Sequence, residues 1–269
     1  MELVNCHTHT VYSGHGQGSV DQLVCAARRA GITTLAVTEH YPLPPELDPL
    51  KENAIEAALL PQYLQEISAA QQRYSDIEVV AGAEFDWLGD FETRTMGGDT
   101  FAPFAYTLLS VHFIDGWGFD DPAYMSRWSE FGADAVWRRY IELWIEATCS
   151  EWPIDAMAHP DLAKKFGYFP SFDLDKCYQE MAEALASTDK MVEVNTAGAY
   201  YDCKQMYPAP ELLRLFCRAG IPCSVGTDAH APEHVTRGLD KAYALMYEAG
   251  YRYITVPTAT GDRRCIPLS

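Results

Sequence analysis

The chain has 269 residues, 48 % of them hydrophobic, and a formal net charge of −18 from 38 acidic against 20 basic side chains. This length is close to that of an eight-fold βα barrel, so we expect a single domain over residues 1–269. A surface this acidic argues against nucleic acid or an anionic membrane as partner. No apolar run has the length of a membrane span, and the eight cysteines form no Cys-x-x-Cys pair, so the composition predicts a cytoplasmic protein with reduced thiols.

Strand-like and helix-like stretches alternate along the chain, which is the pattern of a parallel sheet with crossover helices. The predicted strands are Leu3–Asn5, Thr34–Thr38, Glu78–Gly82, Tyr106–Ser110, Ile154–Ala158, Met191–Val194, Cys223–Gly226 and Tyr253–Val256. Helices are predicted at 19–30, 59–74, 134–149, 173–186, 210–220 and 240–249, from apolar spacing and from capping and terminating residues. Eight strands in a chain of this length favour an α/β protein with a closed or distorted barrel over an open sheet.

The first strand is followed at once by His7 and His9. In an extended segment, side chains at positions i and i+2 point to the same face, so the two imidazoles can reach one metal ion. A single His-x-His pair is weak support, because neutral imidazole also fills protein interiors.

The same arrangement recurs along the chain, because six of the eight histidines directly follow a predicted strand. These are His7, His9, His40, His112, His159 and His230. Glu84 and Asp228 occupy equivalent positions, and in a βα barrel all such strand ends meet on the face that carries the active site. Nitrogen and oxygen ligands of this kind suit zinc, manganese or iron, and the set is too rich for one ion. Paired ions can hold a hydroxide nucleophile for phosphoester hydrolysis.

Taken together, the motifs resemble the PHP (polymerase and histidinol phosphatase) superfamily, from Asn5 to about Val235. They are His7-Thr8-His9, Ser13-x-His15, Thr38-Glu39-His40, Gly82-Ala83-Glu84, Ser110-Val111-His112, Ala158-His159-Pro160-Asp161, Glu193-Val194-Asn195-Thr196 and Thr227-Asp228-Ala229-His230. Residues 110–117 are similar to the histidinol-phosphatase branch in particular. The resemblance implies a distorted seven-stranded TIM-like barrel, which has one strand fewer than we count. It also implies three divalent ions (Zn, Mn or Fe).

The resemblance also implies nine metal ligands. They are His7, His9, Glu84 and Asp228 for the first ion, Glu84 as a bridge to a second ion held with His112 and His159, and His15, His40 and His230 for a third. His234 matches no ligand position, and we expect it at the surface or at the start of a helix.

The implied reaction is hydrolysis of L-histidinol phosphate to L-histidinol and phosphate in histidine biosynthesis, by attack of a metal-bridging hydroxide on phosphorus. Glu84 and His230 are candidate catalytic residues. Asp161 is a candidate proton donor or partner of the metal site, and a helix cap is an equally good interpretation of it.

Five residues are candidates for binding the substrate: His40, Lys164, Lys165, Tyr200 and Lys204. The two adjacent lysines fall where members of the family carry basic residues that bind phosphate, although a solvated charge pair would give the same pattern.

The chain departs from the family pattern after Asn195-Thr196-Ala197-Gly198. An Arg or Lys is expected shortly after this motif, but the chain continues Ala199-Tyr200-Tyr201-Asp202. A phenol hydroxyl binds phosphate less strongly than the forked guanidinium group of an arginine. Lys204 is the nearby candidate to contact the phosphate instead. The substrate therefore stays open between histidinol phosphate and a different small phosphate ester.

Two other classes of protein remain. A metal-dependent amidohydrolase also has His-x-His after its first barrel strand, but it would need a bridging lysine at a middle strand end, where this chain has Glu84 and His112. A binding module that has lost catalysis would lack ligands, whereas all nine positions are filled. We expect a monomer or a small homo-oligomer.

Overall fold

Parallel strands form the centre of the computed structural model, which describes residues 2–89 and 98–268. The strands are β1 (Leu3–Asn5), β2 (Ile32–His40), β3 (Glu78–Asp86), β4 (Tyr106–Ser110), β5 (Phe113–Ile114), β6 (Trp117–Gly118), β7 (Ala156–Met157), β8 (Met191–Asn195), β9 (Cys223–Gly226), β10 (Tyr253–Pro257) and β11 (Arg263–Pro267). Seven of these described strands form one sheet, in the order β1-β2-β3-β4-β7-β8-β9.

The two edges of this sheet meet and close it into a barrel. The amide of Cys6 donates to the carbonyl of Val225, and the amide of Asp228 donates to the carbonyl of His7, each over 2.9 Å. All strand pairs within the sheet are parallel. The distorted seven-stranded barrel implied by the family resemblance is thus confirmed.

The prediction of eight barrel strands is wrong in its last member. β10 forms where a strand is predicted, but it pairs antiparallel with β11 in a separate hairpin. Because β9 already joins β1, the barrel offers no free edge to a further strand. A second small hairpin, β5 with β6, follows β4.

Helices follow most of the barrel strands and cover the outside. They span Val20–Arg29, Leu60–Arg73, Met125–Phe131, Ala133–Thr148, Asp175–Ala186, Pro210–Arg218 and Leu239–Ala249. Ser19 starts the first of them with a capping box, in which its side chain accepts from the Gln22 amide and the Gln22 side chain accepts from the Ser19 amide. No element is predicted between the strands Glu78–Gly82 and Tyr106–Ser110, and residues 90–97 of this segment lie outside the described ranges.

The strands are buried on both faces, between the barrel interior and the helices. In β2, Leu35, Ala36 and Val37 are all inaccessible to solvent, which explains an unbroken apolar run where a half-exposed strand would alternate. Towards its carboxyl end the same strand turns polar, with Thr38, Glu39 and His40 still buried. This change from apolar to polar marks the end of the barrel that carries the site. In the described ranges, no helix combines the length and apolar character needed to cross a membrane.

Candidate metal centre

The carboxyl ends of six barrel strands direct histidine and carboxylate side chains into one cluster. The contributors are His7 and His9 after β1, His40 at the end of β2, Glu84 in β3, His112 after β4, His159 after β7, and Asp228 and His230 after β9. The convergence follows from the parallel sheet, because all its strands end on the same face.

Glu84 lies at the middle of the cluster and is completely buried. Its Oε2 is 3.1 Å from both Nε2 of His7 and Nδ1 of His40. Its Oε1 is 2.8 Å from Nε2 of His159 and 3.7 Å from Nε2 of His112. The two oxygens thus face two different sets of imidazoles, which is the geometry of a carboxylate that can bridge two ions. A carboxylate here, instead of a lysine, argues against an amidohydrolase.

Four groups of three side chains bring their ligand atoms within 4.8 Å of one another. They are His7–His9–Asp228, His7–Glu84–His159, His40–Glu84–His112 and His9–His40–His230. Because the groups share members, they form one continuous set of donors.

The last group contains His9 where the resemblance implies His15. The His15 ring lies beside this group, with its centroid 4.6 Å from that of His230 and 5.4 Å from that of His40. Its Nδ1 is 2.8 Å from the carbonyl of Glu52, which leaves Nε2 free for another partner. His15 can therefore complete a donor set with His40 and His230.

Buried polar atoms of the cluster are incompletely paired within the protein. Among the described residues, His230 Nε2 has no hydrogen-bond partner, while Nε2 of His9 lies 3.2 Å from Asp228 Oδ1 and only 3.0 Å from Nε2 of His7. Polar atoms left unpaired in a protein interior are costly. Divalent cations would satisfy all of them at once, so the residues fit metal binding.

The protonation states of four members of the cluster suit metal ligands. Burial is the main cause that lowers the pKa of His230 to about 3 and that of His40 well below its usual value, so both rings are neutral. Burial by itself would raise the pKa of Glu84 and Asp228, but the neighbouring histidines outweigh it and hold both pKa values well below the usual range. Neutral imidazoles and ionised carboxylates are the forms that bind metals.

For His7, His9 and His112, burial lowers the pKa but neighbouring carboxylates outweigh it, raising the pKa of His9 to about 8 and that of His112 to about 10. These rings would therefore release a proton on binding a metal.

Two carboxylates to which the sequence assigned no role contact the ring nitrogens that face away from the cluster. Oε1 of Glu193 is 2.8 Å from Nδ1 of His7, and Oδ1 of Asp86 is 2.7 Å from Nδ1 of His112. Such partners fix the orientation of ligating histidines. Gly226 leaves room for the first contact, since a Cβ there would lie 2.2 Å from Glu193 Oε1. A charged residue within the apolar strand β8 was the available signal for Glu193.

A cavity of about 720 Å³ opens over the cluster. Its wall includes Lys165 and Tyr200, as expected for substrate-binding residues, and also Tyr201 and Arg237. His234, expected at the surface or at a helix start, ends a short 3₁₀ helix and also lines this cavity.

Two residues predicted to bind the substrate, Lys164 and Lys204, and the candidate proton donor Asp161 lie outside the cavity wall. Lys164 and Asp161 do not line the cavity, because they form a buried ion pair with 2.9 Å between Nζ and Oδ2 and exposures of 1 % and 0 %. The Lys164 ammonium also donates to the carbonyl of Met206, and Asp161 accepts from the amide of Ala209. Both charged groups are thus hydrogen-bonded within the protein. Lys204 is exposed and lies outside the cavity wall. We therefore withdraw Lys164, Lys204 and Asp161 from the candidate site.

The fold and the cluster together define a metal-binding βα-barrel enzyme. Comparison with known proteins narrows this class. The family model of the PHP domain matches residues 5–197. A protein of Deinococcus radiodurans named "Probable histidinol-phosphatase" is 32 % identical over 258 residues, which cover 94 % of this chain and 96 % of that protein. The chain belongs to the PHP domain family.

Other relatives agree with this assignment. The histidinol-phosphatase of Bacillus subtilis is 26 % identical over 252 residues, covering 86 % of this chain and 94 % of that protein. A solved histidinol phosphate phosphatase of Lactococcus lactis, in complex with zinc, L-histidinol and phosphate, superposes with a TM-score of 0.80. It covers 96 % of this chain and 98 % of its own at 22 % identity, so it supports the fold.

Proposed function

We propose that this protein is a metal-dependent phosphatase that hydrolyses L-histidinol phosphate to L-histidinol and phosphate in histidine biosynthesis. The observation that carries the proposal is the continuous cluster of imidazoles and carboxylates at the floor of a cavity that also contains Lys165. The names of the Deinococcus and Bacillus relatives support histidinol phosphate as the substrate.

We propose three metal positions in this cluster, for zinc, manganese or iron. The donor sets are His7, His9, Glu84 and Asp228 for the first, Glu84, His112 and His159 for the second, and His15, His40 and His230 for the third. Bound divalent ions would activate water as a nucleophile and neutralise the charge of phosphoryl oxygens. The zinc in the Lactococcus structure favours zinc as the first metal to test.

The remaining side chains of the cavity would bind and orient the substrate. Lys165 Nζ is 2.9 Å from Oδ2 of Asp120, so the ammonium group is held by a second residue of the cavity wall. A positive charge at this place would orient the phosphate group of the substrate. Histidinol also carries a cationic amine, and the carboxylates of Glu52 and Asp121, two residues of the cavity wall, suit that end.

The deciding experiment is phosphate release from L-histidinol phosphate beside a panel of other phosphomonoesters, with zinc, manganese and iron each supplied. We expect histidinol phosphate to be turned over with the highest kcat/KM. Equal or better turnover of other esters would support the second candidate, a PHP phosphatase for a different small ester, which the missing basic residue after Gly198 favours. Turnover of no ester would leave a binding module.

The proposal includes a reducing, cytoplasmic location and a monomer or small homo-oligomer. A reducing compartment would keep the eight cysteines, which form no Cys-x-x-Cys pair, as thiols. Size-exclusion chromatography with light scattering would measure the oligomeric state directly.

A further inference from the structure

The two tyrosines that stand where the family has a basic residue each contact a cation from elsewhere in the chain. The guanidinium carbon of Arg237 lies 3.4 Å from the ring centroid of Tyr200. Nζ of Lys165 lies 4.7 Å from the ring centroid of Tyr201. All four residues line the cavity above the metal cluster. Positive charge is thus present near the expected place, although it comes from other segments.

The backbone of Arg237 is fixed to the end of a barrel strand. Its carbonyl accepts a hydrogen bond of 2.6 Å from the hydroxyl of Thr196, which directly follows β8. Its amide donates to the carbonyl of His234 over 2.9 Å. Thr196 belongs to the same motif after which the basic residue is missing, so the arginine is anchored at the corresponding edge of the site.

The guanidinium of Arg237 differs from the Lys165 ammonium in having no anionic partner in the part of the chain that the structure describes. Within residues 2–89 and 98–268, no carboxylate oxygen lies within 4 Å of it, whereas Lys165 is paired with Asp120. Stacking on the phenol ring uses the flat face of a guanidinium and leaves its N–H groups free at the edge. Arg237 therefore offers unused donors to the cavity.

The stacked arrangement depends on a glycine beside it. Gly238 has φ +79°, and a Cβ there would lie 3.2 Å from both the Tyr200 hydroxyl and Cβ of Thr196. The absence of a side chain lets the phenol lie close to the turn that carries Arg237. Tyr200 is thus a positioning residue for the guanidinium.

We propose that Arg237, oriented by Tyr200, binds the phosphate group in place of the basic residue that this chain lacks after Gly198. This inference rests on the proposed phosphoester function. A guanidinium can bind two phosphate oxygens at once, which gives both charge and orientation. A local cationic group is needed here, because a protein of net charge −18 repels an anionic substrate at long range.

The test compares Arg237→Met and Arg237→Lys with Arg138→Met, a matched control. Arg138 is also stacked on an aromatic ring, with its guanidinium carbon 4.0 Å from the Phe172 centroid, but it lies outside the cavity. Calorimetry measures the Kd of inorganic phosphate for each metal-loaded protein, and kinetics give KM for histidinol phosphate and p-nitrophenyl phosphate. Circular dichroism and metal analysis check that fold and metal content are kept.

We expect Arg237→Met to weaken phosphate binding and raise both KM values by about tenfold to a hundredfold, with kcat changed less. Arg237→Lys should bind phosphate more tightly than Arg237→Met but less tightly than the wild type. Tyr200→Leu should weaken phosphate binding about twofold to fivefold. Arg138→Met should bind phosphate like the wild type.

Wild-type phosphate affinity in Arg237→Met would overturn the inference, as would an equal loss in Arg138→Met. The outcome is separable from that of the proposed function. If histidinol phosphate is not the preferred ester but Arg237→Met still weakens phosphate, the inference stands and the substrate assignment fails. If histidinol phosphate is preferred and Arg237→Met leaves phosphate affinity unchanged, the substrate assignment stands and the inference about Arg237 fails.

Discussion

Glu193 orients the ring of His7, because its Oε1 lies 2.8 Å from Nδ1, the ring nitrogen that faces away from the metal cluster. The opposite ring nitrogen, Nε2, lies 3.1 Å from Oε2 of Glu84 in the metal cluster. The second oxygen of Glu193 accepts from the backbone amide of His159 over 2.9 Å. One carboxylate therefore sets the ring of one candidate ligand and the backbone of another.

Glu193→Gln should lower metal affinity and kcat/KM by about tenfold to a hundredfold, because an amide holds the His7 ring less strongly than a carboxylate. The measurements are metal titration and phosphate release at several metal concentrations. Glu183→Gln, on an exposed helical position, is the control. Unchanged metal affinity in Glu193→Gln would show that the contact does not support the metal site.

His112→Ala and Asp228→Ala should each abolish phosphatase turnover while the protein stays folded, since each removes a donor from the cluster. Phosphate release, metal content and circular dichroism are measured together. His234→Ala is the control, because His234 lines the cavity but belongs to none of the candidate donor groups. Near-normal turnover in either ligand variant would rule out the metal-cluster mechanism.

Asp86→Asn should weaken metal binding at the His112 position by about tenfold to a hundredfold. The Asp86 carboxylate lies 2.7 Å from Nδ1 of His112, so it orients the ring and leaves Nε2 directed towards Glu84. Competitive titration with a chromogenic chelator would detect the loss. Retention of every bound ion with wild-type affinity would mean that packing alone orients His112.

Lys164→Met should reduce the free energy of unfolding by about 3–5 kcal/mol, because it leaves the Asp161 carboxylate buried without its cation. Phosphate affinity should stay unchanged, in contrast to Lys165→Met, which should weaken it. Urea unfolding and phosphate calorimetry give the two readouts. Adding Asp161→Asn to Lys164→Met should recover part of the stability, and a loss of phosphate affinity in Lys164→Met would restore its role in substrate binding.

Removal of metals by a chelator should lower Tm, because buried groups such as His230 Nε2, which has no hydrogen-bond partner among the described residues, then stay unpaired. Readdition of zinc at about 100 times its Kd should restore about 2.7 kcal/mol of stability for a single site. Calorimetric unfolding before and after chelation measures this. An identical Tm with and without metal would contradict a metal site built into the core of the fold.

The sequence by itself determined the alternation of strands and helices and the placement of histidines at strand ends. Both are local properties, since apolar spacing, capping residues such as Ser19 and the position of His40 after an apolar run are read over a few residues. The convergence of these strand ends then follows from the parallel topology alone. The same reasoning predicted one barrel strand too many, because the pairing of β1 with β9 is a contact between the two edges of the sheet, which lie far apart in the sequence.

Only the tertiary structure decided which charged side chains face the cavity. Lys164 and Lys165 are neighbours in the chain, yet the first is buried against Asp161 and the second lines the cavity beside Asp120. Arg237 reaches Tyr200 from a distant segment, which no local pattern could show. The physical reason is that the type of a residue sets its charge, whereas the burial and orientation of its side chain depend on the elements that pack around it.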